Sequence, residues 1–593
     1  MSNRKKAVSS SATSTVSAPQ SYLNYTLAFV FAILIVMIGI ALISGDDDIF
    51  WHLATGKWIV QHHAVPANDV FGVITQSHIW IPFEWGWDVV IYSLYSLVGT
   101  FTGVQVLPII IWLVMFGMLA SIMRKAGSTI SVILVILLLT LFATVDRMTP
   151  RPQVITMLGL STILWLYIPM RMNGSSSTKQ IWLLPVLFLV WVNFHLGVAA
   201  GFLLLFVILV SEIVQLVIRR TIRGGNAIPN SKPIVLQLCA VLFVCCVVIL
   251  INPHGIETFR YAYSHIQMKL LEVIPEWKSP FSDSLAAGGV LWSYKILLVL
   301  GFVSIPYSIR HRDFLPAFIY IAFAIYSLQA VRFIGDYAIV TSFGTVLGLD
   351  EFLGKYLKSF MRFMKGKGMA YMMLVILTVM VVLIPTNSLY THLKISRHFG
   401  LGIDKNFFPM SLMTFIKEHD IHGNPFNTLG MGGLLIWNQP EEKSFIDTRN
   451  LGDDIGKEYY SILTKQPGFD QKLDSYHIDY VSMDIKGVIQ IPSMMAQSLI
   501  SYCTTDTLRW RLVFWDDGSF LFVRNKPDFK KVIEDDEYRI LNPYLYMYKR
   551  MEFDSLRRAE PQVFQKEFER KISEEPDGQI MRFITRYIQQ PTQ

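Results

Sequence analysis

The chain has 593 residues, of which 52% are hydrophobic and only 16% are charged. Soluble domains carry about 25% charged residues, so this composition excludes a single soluble domain. Four cysteines are too few for a disulfide scaffold, and long apolar runs with 13% aromatic residues exclude a disordered chain. The net charge of +7 is modest and no nucleic-acid-binding motif is present, so we expect no nucleic-acid partner.

The N-terminus combines a polar tail with an apolar run. Residues 7–20 are mostly Ser, Thr, Ala and Val, which predicts a disordered cytoplasmic N-terminus over 1–24. The run 25–43 holds 19 uncharged residues behind a basic cluster at 4–6. It is long enough to span about 30 Å of hydrocarbon, and we interpret it as a retained signal anchor.

Further apolar runs predict a multi-span α-helical transmembrane domain over 25–385. They lie near 85–99, 102–122, 129–145, 152–169, 181–198, 199–218, 233–251, 288–308, 313–331, 337–353 and 370–385. Basic clusters near 219–223, 310–312 and 362–367 are cytoplasmic by the positive-inside rule. This rule places the first loop, 45–84, outside, together with the loop 252–286 and the chain after 385.

A cytoplasmic N-terminus and an external C-terminal domain require an odd number of crossings, whereas twelve runs are present. We therefore expect about 11–13 transmembrane helices, in an inner or plasma membrane protein with an extracytoplasmic C-terminal domain. The run 85–99 is the shortest and contains Asp88, so the sequence leaves open whether this run crosses the membrane completely.

The chain changes character after residue 385. Strand-length runs at 443–448, 478–484, 511–515 and 520–524 alternate with helical patterns at 409–419, 455–465 and 491–503. This alternation predicts a soluble α/β domain over 386–525, with a hairpin turn at Asp516–Ser519. The tail 526–593 is charged and helical in pattern, as in a helical hairpin packed on the domain.

The sharpest chemical signal is "GDDDIFWHLATGKWI" at 45–59. Adjacent carboxylates at a membrane boundary repel one another, so a divalent cation or a metal-bearing phosphate substrate would compensate them. Asp46 and Asp48 are the candidate metal ligands, and a desolvated carboxylate is also a good general base. The alternative is an acidic N-cap for a helix starting near Phe50. His52, one helical turn after Asp48, is a carboxylate partner or part of a joint site.

Other polar residues interrupt apolar runs on the predicted external side. Glu84 begins such a run, where an unpaired carboxylate is costly, and its functional and structural interpretations are evenly balanced. The candidate substrate-binding residues are His52, Glu84, Arg147, Arg151, Asn193, His195 and Arg332. Arginine suits phosphate recognition, so these residues are expected to line one cavity. Alternatively, each is a loop charge or satisfies a helix end. No P-loop, serine-hydrolase elbow or zinc motif is present in the sequence.

A signal anchor, an acidic first loop, many spans and a soluble C-terminal domain resemble the GT-C superfamily of polyprenyl-phosphate-sugar-dependent glycosyltransferases. The segments "DDDIFWHLATGKWIVQHHAVPANDVF" and "WIPFEWGWDVV" are similar to a group of uncharacterised bacterial multi-span glycosyltransferases of this type. Their pattern is Asp-x-Asp, His-Leu, Gly, Pro-x-x-Asp and Glu-Trp. The likeness covers most of residues 25–525, and the first-loop motif is its specific part.

The resemblance implies roles for individual residues. Asp46 and Asp48 become the acidic pair with His52 as neighbour, and such an Asp acts as general base on the acceptor hydroxyl or helps to hold a metal. A divalent cation, Mg²⁺ or Mn²⁺, is the candidate cofactor. Glu84 becomes the second-motif carboxylate, and the run 85–99 a true second span. Arginines, for which Arg147, Arg151 and Arg332 are candidates without a motif match, would meet the donor phosphate.

The implied activity is sugar transfer, with inversion, from a polyprenyl-phosphate-linked donor to a glycan, lipid or protein acceptor outside the cytoplasm. Membrane lipids are then the surrounding partners. Two other classes stay open on sequence grounds. A transporter or flippase would use the same polar residues, although no internal repeat supports it. A non-catalytic scaffold of envelope assembly would tolerate neutralising the acidic loop.

Overall fold

The computed structural model describes most of the chain. The described residues are 18–76, 78–172, 179–221, 231–269, 271, 274–285, 288–439, 442–449, 452–485 and 494–589. Residues 1–17 of the predicted disordered N-terminus, and 491–493 of a predicted helix, lie outside the described residues.

The described part of residues 18–393 is helical throughout its apolar runs. Its helices are α1 (Ala18–Gly39), α2 (Asp48–His62), α3 (Trp85–Val98), α4 (Phe101–Lys125), α5 (Ile130–Thr144), α6 (Gln153–Met172), α7 (Leu184–Val192), α8 (Val198–Thr221), α9 (Ser231–Val248), α10 (Glu257–His265), α11 (Gly289–Gly301), α12 (Ser304–His311), α13 (Leu315–Gln329), α14 (Ile334–Tyr356), α15 (Lys358–Met364), α16 (Lys367–Leu383) and α17 (Ser388–Leu393). Each of the twelve predicted apolar runs lies on one or more of them.

Among the described residues, six helical stretches are long and apolar enough to cross a membrane. They are Tyr22–Gly39, Phe101–Lys125, Ile130–Arg147, Gln153–Met172, Val198–Ile218 and Gly289–His311. A seventh is formed if α15 and α16, bent by 59°, count as one span. Shorter apolar stretches such as Lys232–Val248 and Leu315–Gln329 accompany them. The chain is therefore a multi-pass membrane protein. The number of spans predicted from the sequence is larger because it includes helices that are too short or too charged to cross a membrane by length and composition alone.

Helix α3 corresponds to the run 85–99, for which the sequence leaves the crossing of the membrane open. Its 14 residues rise about 21 Å, which is short of the ~30 Å hydrocarbon layer. Only its N-terminal half is buried, including Trp87, Asp88 and Ile91. By length α3 does not cross a membrane alone, contrary to what the resemblance implies for 85–99.

The C-terminal domain contains a four-stranded sheet. Its strands are β1 (Asn424–Asn427), β2 (Ile478–Asp484), β3 (Trp510–Trp515) and β4 (Ser519–Arg524), in the order β1-β2-β4-β3. β1 pairs parallel with β2, and the other two pairs are antiparallel. The strands predicted at 478–484, 511–515 and 520–524 are confirmed. So is the tight turn between β3 and β4, where Asp516 N donates to Ser519 O at 3.0 Å.

The strand predicted at 443–448 is wrong. Ser444 instead joins the first loop, where its N–H donates to Phe71 O at 2.9 Å and its carbonyl accepts from Val73 N at 2.8 Å. The strand that the sequence missed is β1, whose residues Asn, Pro, Phe and Asn have low strand propensity overall. The segment 443–448 therefore connects the C-terminal domain to the first loop.

Helices cover the sheet. They are α18 (Met410–Glu418), α19 (Gly432–Asn438), α20 (Asp453–Leu463), α21 (Phe469–Ser475), α22 (Met494–Thr505), α23 (Lys530–Asp536), α24 (Pro543–Tyr548), α25 (Arg550–Ala559), α26 (Pro561–Glu574) and α27 (Gln579–Gln589). The tail forms the last five helices rather than one hairpin. Phe553, Phe564 and Ile580 of the tail share a buried core with Trp515 and Phe520 of the sheet, so the tail belongs to the same folded unit.

The opposite side of the sheet packs on the first loop. Phe50 and Leu53 of α2 share a buried core with Tyr480, Leu521 and Val523. Helix α2 is consequently held between the sheet domain and the membrane helices. This position brings the acidic start of the first loop against the ends of α5 and α6.

Candidate active site

The crossing of α2 and α3 sets the site. A Cβ atom at Gly56 would collide with the backbone carbonyl of Asp88, so only glycine permits this close approach of the two helices. The approach places His52, one turn before Gly56, against Asp88. His52 Nδ1 and Asp88 Oδ1 are 2.6 Å apart, and both side chains are almost fully buried.

Arg151 connects the carboxylates that open the first loop. Its Nε donates to Asp46 Oδ1 at 2.7 Å, and its Nη2 lies 3.1 Å from Asp48 Oδ2. Burial raises the pKa of Asp46 to about 6, and Arg151 opposes that shift, so the carboxylate is ionised at neutral pH. Burial acts to lower the pKa of Arg151, but Asp46 and Asp48 outweigh it and raise that pKa. The acidic cluster is therefore neutralised by an arginine.

The acidic residues stand at the N-terminus of α2, but the side-chain cap of the alternative interpretation is not formed. Asp47 occupies the N-cap position of α2, and its side chain makes no capping hydrogen bond within the described part of the chain. Asp48 is the first residue of α2, and its Oδ1 accepts from Trp51 Nε1 at 3.2 Å. Its carboxylate thus serves Arg151 and Trp51.

The expected Mg²⁺ or Mn²⁺ site at Asp46 and Asp48 does not fit this geometry. Divalent cations of this kind require about six oxygen ligands, and the guanidinium of Arg151 already occupies the space between the two carboxylates. In the described ranges, no group of three or more His, Cys, Asp or Glu side chains is arranged to hold a metal ion. The compensating cation that the sequence required is Arg151 itself.

Glu84 lies between two imidazole rings. His52 Nε2 is 3.8 Å from its Oε2, and His195 Nε2 is 3.7 Å from its Oε1. Burial, followed by the negative charge of Asp48, raises the pKa of Glu84 to about 8. Burial and the charge of Arg332 lower the pKa of His195 to about 3, and burial with Arg151 lowers that of His52 well below its usual value. Both imidazoles are therefore neutral near pH 7.

Arg147 and Arg332 form a second basic group near the acidic start of the loop. Arg147 Nη1 donates to Glu276 Oε2 at 3.1 Å. Arg332 lies over the ring of Trp277, with 4.1 Å between its Cζ and the ring centroid. Within the described ranges Arg332 has no hydrogen bond or ion pair, so its guanidinium N–H groups are available to a ligand. Glu276 and Trp277, adjacent in the loop 252–286, thus position one arginine each.

Asn193 has a structural position. Its Oδ1 accepts from Trp85 Nε1 at 3.0 Å, and its Nδ2 donates to the carbonyls of Leu189 and Ile251 at 2.9 and 3.0 Å. Its backbone carbonyl accepts from Gly86 N at 3.0 Å. Asn193 thus joins the start of α3 to the end of α7, and it is not among the residues that line the large cavity.

A cavity of about 1010 Å³ brings most of the predicted residues together. Its lining includes Asp48, His52, Glu84, Arg147, Arg151, His195 and Arg332. Asp46 borders a second cavity of about 500 Å³, which shares Arg147 and Arg151 with the first. Seven of the nine predicted site residues thus line one cavity, while Asp46 and Asn193 lie behind it.

The sequence missed residues that the C-terminal domain contributes. Arg449 lines the large cavity and donates to Asp69 Oδ1 at 2.6 Å and to both oxygens of Asp447 at 2.8 and 2.6 Å. Its guanidinium lies over the rings of Trp80 and Phe71, with 4.4 and 5.2 Å to their centroids. The segment "FIDTRN" at 445–450, which contains Arg449, is also similar to the group that the sequence resembles, but a local motif carries no distance information.

Comparison with known proteins gives a fold match. No protein-family model and no curated protein matches the sequence. The Archaeoglobus fulgidus oligosaccharyltransferase tethered with an acceptor peptide is 11% identical, with a TM-score of 0.55 over 86% of this chain and 75% of that chain. The complex of that organism's AglB with an inhibitory peptide and a dolichol-phosphate has a TM-score of 0.50 over the same shares at 11% identity. ArnT from Cupriavidus metallidurans is 12% identical, with a TM-score of 0.49 over 85% of this chain and 98% of that one.

Identities this low establish the fold and leave the chemistry open. The archaeal match extends over both the membrane helices and most of the C-terminal domain, since it covers 86% of the chain. The chain therefore shares the fold of the archaeal oligosaccharyltransferase, which agrees with the fold that the resemblance of its sequence implies.

Proposed function

We propose that this protein transfers a sugar from a polyprenyl-phosphate-linked donor to an acceptor on the extracytoplasmic side of the membrane, with inversion at the anomeric carbon. The observation that carries the proposal is the large cavity, in which carboxylates and four arginines line one chamber beside apolar helices. A sugar phosphate needs cationic groups at its phosphate and a proton acceptor near the attacking nucleophile. The cavity contains both.

The donor class follows from the charges and from the neighbouring structure. Arg332 and Arg147 would bind the donor phosphate, and Arg151 would add a third positive charge beside it. The neighbouring oligosaccharyltransferase AglB is seen in complex with a dolichol-phosphate, which supports a lipid-linked phosphate as donor. The polyprenyl chain would lie along the apolar helices.

The chemical step needs no group beyond the chain and its substrates. The acceptor nucleophile attacks C1 of the sugar, and the C1–O bond to the lipid phosphate breaks with its electron pair on the phosphate oxygen. The arginines stabilise the charge that develops there. A cavity carboxylate takes the proton of the nucleophile, and Asp48 and Glu84 are the carboxylates of the predicted set that border the cavity. The prediction that Asp46 or Asp48 is this base stays a prediction.

The acceptor is expected to approach from the C-terminal domain. Arg449 of that domain lines the same cavity, so a glycan, lipid or protein bound to the sheet domain would reach the donor there. An acceptor peptide is tethered to the neighbouring oligosaccharyltransferase, which supports a polypeptide as one candidate acceptor.

Mass spectrometry of envelope lipids, glycans and proteins tests the activity. Cells lacking the protein are complemented with the native chain, with Asp46→Asn/Asp48→Asn, or with Asp283→Asn, which removes an exposed carboxylate of the loop 252–286. We expect a product of hexose-sized mass to disappear without the protein and to return with the native chain and Asp283→Asn only. An unchanged envelope in the deleted cells would contradict the proposed function. A lost product that all variants restore would instead show that the acidic pair is dispensable.

A further inference from the structure

Four carboxylates line the large cavity: Asp48, Glu84, Glu276 and Asp336. Glu276 accepts a hydrogen bond from Arg147 and Asp336 accepts one from Tyr326 at 3.4 Å. The two that the sequence analysis singled out, Asp48 and Glu84, have different surroundings. We infer that Glu84, not Asp48, takes the proton of the acceptor nucleophile, and that the His52–Asp88 pair and His195 position it. This inference rests on the proposed function. It assigns the acid–base residue of that reaction to the second motif of the sequence.

Asp48 is already committed to two donors. Its Oδ2 is 3.1 Å from Arg151 Nη2, and its Oδ1 accepts from Trp51 Nε1 at 3.2 Å. These two donors engage both oxygens of the carboxylate, so neither oxygen can receive the proton of a nucleophile without displacing a donor. Protonating Asp48 would also weaken its attraction to Arg151. Asp48 is therefore better suited to holding Arg151 at the cavity wall.

Glu84 has the opposite surroundings. Within the described part of the chain, its carboxylate accepts no hydrogen bond, and its nearest polar contacts are the two imidazoles at 3.7 and 3.8 Å. The side chain is 15% exposed, and that exposure faces the cavity it lines. A sparsely solvated carboxylate without an ion pair is a strong base toward a bound hydroxyl or amide. The pKa of about 8 agrees with this geometry.

The proton positions around Glu84 follow from its neighbours. His195 Nδ1 accepts from Gly197 N at 3.2 Å, so the ring proton of the neutral imidazole is on Nε2 and points at Glu84. Thr156 Oγ1 accepts from Trp191 Nε1 at 3.2 Å, so its hydroxyl donates to His195 Nδ1 at 2.6 Å. His195 is thus fixed as a donor toward the Oε1 atom of Glu84.

The other side of Glu84 is fixed by a buried pair. His52 Nδ1 and Asp88 Oδ1 are hydrogen-bonded at 2.6 Å, which holds the ring so that Nε2 points at Glu84 Oε2. Asp88 is completely buried, and its Oδ2 has no hydrogen-bond partner within the described residues. A buried, incompletely satisfied carboxylate is costly, which is typical of functional sites. We attribute the burial of Asp88 to its contact with His52, which orients that imidazole toward Glu84.

The step balances with Glu84 as base. The nucleophile's proton moves to a Glu84 oxygen as the nucleophile bonds to C1, and the C1–O bond to the lipid phosphate breaks. The lipid phosphate leaves with the electron pair, and Glu84 then returns its proton to the departing phosphate or to water. Contacts of 3.7–3.8 Å in the substrate-free site are long enough for the histidines to close on Glu84 when substrate binds.

The test uses membranes from cells that lack the native protein and carry one variant each. It follows the formation of the product identified by mass spectrometry. The rate of product formation is measured from pH 5 to 9. With the native chain we expect the rate to rise with pH through about 8, because the base must lose its proton. Glu84→Gln should lower the rate by about 10²–10⁴-fold and remove the rising limb. Glu84→Asp, which keeps a carboxylate, should retain the limb at a reduced rate.

Two further variants separate the roles. Asp48→Asn removes a negative charge that raises the pKa of Glu84, so the rising limb should move to lower pH rather than vanish. His195→Phe removes a donor to the ionised form, so the limb should move to higher pH, and His195→Gln should restore part of that shift. The charged and titratable groups around Glu84 are Asp48, His52, Asp88, Arg151, His195 and Arg332. A purely structural role of His195 would change the rate without moving the limb.

The outcomes distinguish this inference from the proposed function. If cells that lack the protein lose no product, the proposed function fails. If the product is lost but Glu84→Gln, at native membrane levels, restores it with the same pH dependence, only the assignment of Glu84 fails. A limb that vanishes in Asp48→Asn and persists in Glu84→Gln would make Asp48 the base.

Discussion

Arg151 and Asp46 lie 105 residues apart in the chain, yet Arg151 Nε donates to Asp46 Oδ1 at 2.7 Å. The same guanidinium reaches Asp48 at 3.1 Å. This arginine, two residues before α6, supplies a positive charge to two of the three consecutive carboxylates that follow the first membrane helix. It also fixes the start of α2 against the membrane helices.

Removing Arg151 should destabilise the protein. Arg151→Gln leaves Asp46, which is 2% exposed, without its counter-charge, and losing one partner of a buried pair costs about 3–5 kcal/mol. We expect a lower thermal unfolding midpoint for the detergent-solubilised protein. The double variant Arg151→Gln/Asp46→Asn should recover much of that loss, because the uncompensated charge is gone. Equal stability of Arg151→Gln and the native chain would contradict the buried pairing.

Chelation should leave the activity unchanged. Arg151 occupies the space where a cation shared by Asp46 and Asp48 would bind, so product formation in EDTA-treated membranes should match that in untreated membranes. Calorimetric titration of the purified protein with Mn²⁺ or Mg²⁺ should detect no site that Asp46→Asn/Asp48→Asn removes. A saturable Mn²⁺ site that is lost in this double variant would refute the assignment of Arg151 as the compensating cation.

Arg332 should contribute to binding the lipid phosphate. Its guanidinium is held over Trp277 and has no ion pair in the described ranges. A charge-assisted hydrogen bond contributes about 1.5–3 kcal/mol, so Arg332→Ala should weaken binding of undecaprenyl phosphate by about 10–100-fold. Binding is measured with the radiolabelled lipid and the protein in nanodiscs. Arg260→Ala, which removes an exposed arginine of α10, is the matched control. Equal binding by both variants would exclude Arg332 as a phosphate ligand.

The pairing of Arg449 with Asp69 should control the attachment of the first loop to the C-terminal domain. Arg449→Lys keeps the charge but loses the planar fork that contacts Asp69 and Asp447. We expect faster cleavage of the first loop in limited proteolysis, together with a lower unfolding midpoint. Arg509→Lys, at a half-exposed arginine of the same domain, should change neither. Native protease resistance in Arg449→Lys would show that the backbone contacts at Ser444 are sufficient.

Asn193 should act on stability rather than on donor binding. Asn193→Ala removes three side-chain hydrogen bonds and leaves the Trp85 Nε1 donor without its acceptor, at a cost of about 1–3 kcal/mol. The folded fraction of this variant should bind undecaprenyl phosphate with native affinity. A large loss of affinity in the folded protein would restore Asn193 to the ligand-binding set that the sequence predicts.

Local sequence determined the class of the protein and its candidate chemistry. Long uncharged runs specify membrane helices because hydrocarbon excludes polar side chains, and alternation with turn residues specified β2, β3 and β4. The cost of placing a charge beside hydrocarbon also pointed to Glu84 and Arg332, because a charged side chain next to an apolar run is unfavourable unless it is paired or functional. Such signals depend only on residue type and spacing along the chain.

Tertiary structure decided which of these groups meet. The pairing of Arg151 with Asp46, and of Glu84 with His195, depends on helix packing between segments about 100 residues apart, such as the close crossing at Gly56. No local pattern encodes those distances, so the sequence suggested a metal where an arginine lies. It also predicted a strand at 443–448, because its buried apolar residues resemble one, whereas the backbone there bonds to the first loop. Local hydropathy fixes what each segment is, and packing fixes which side chains share a site.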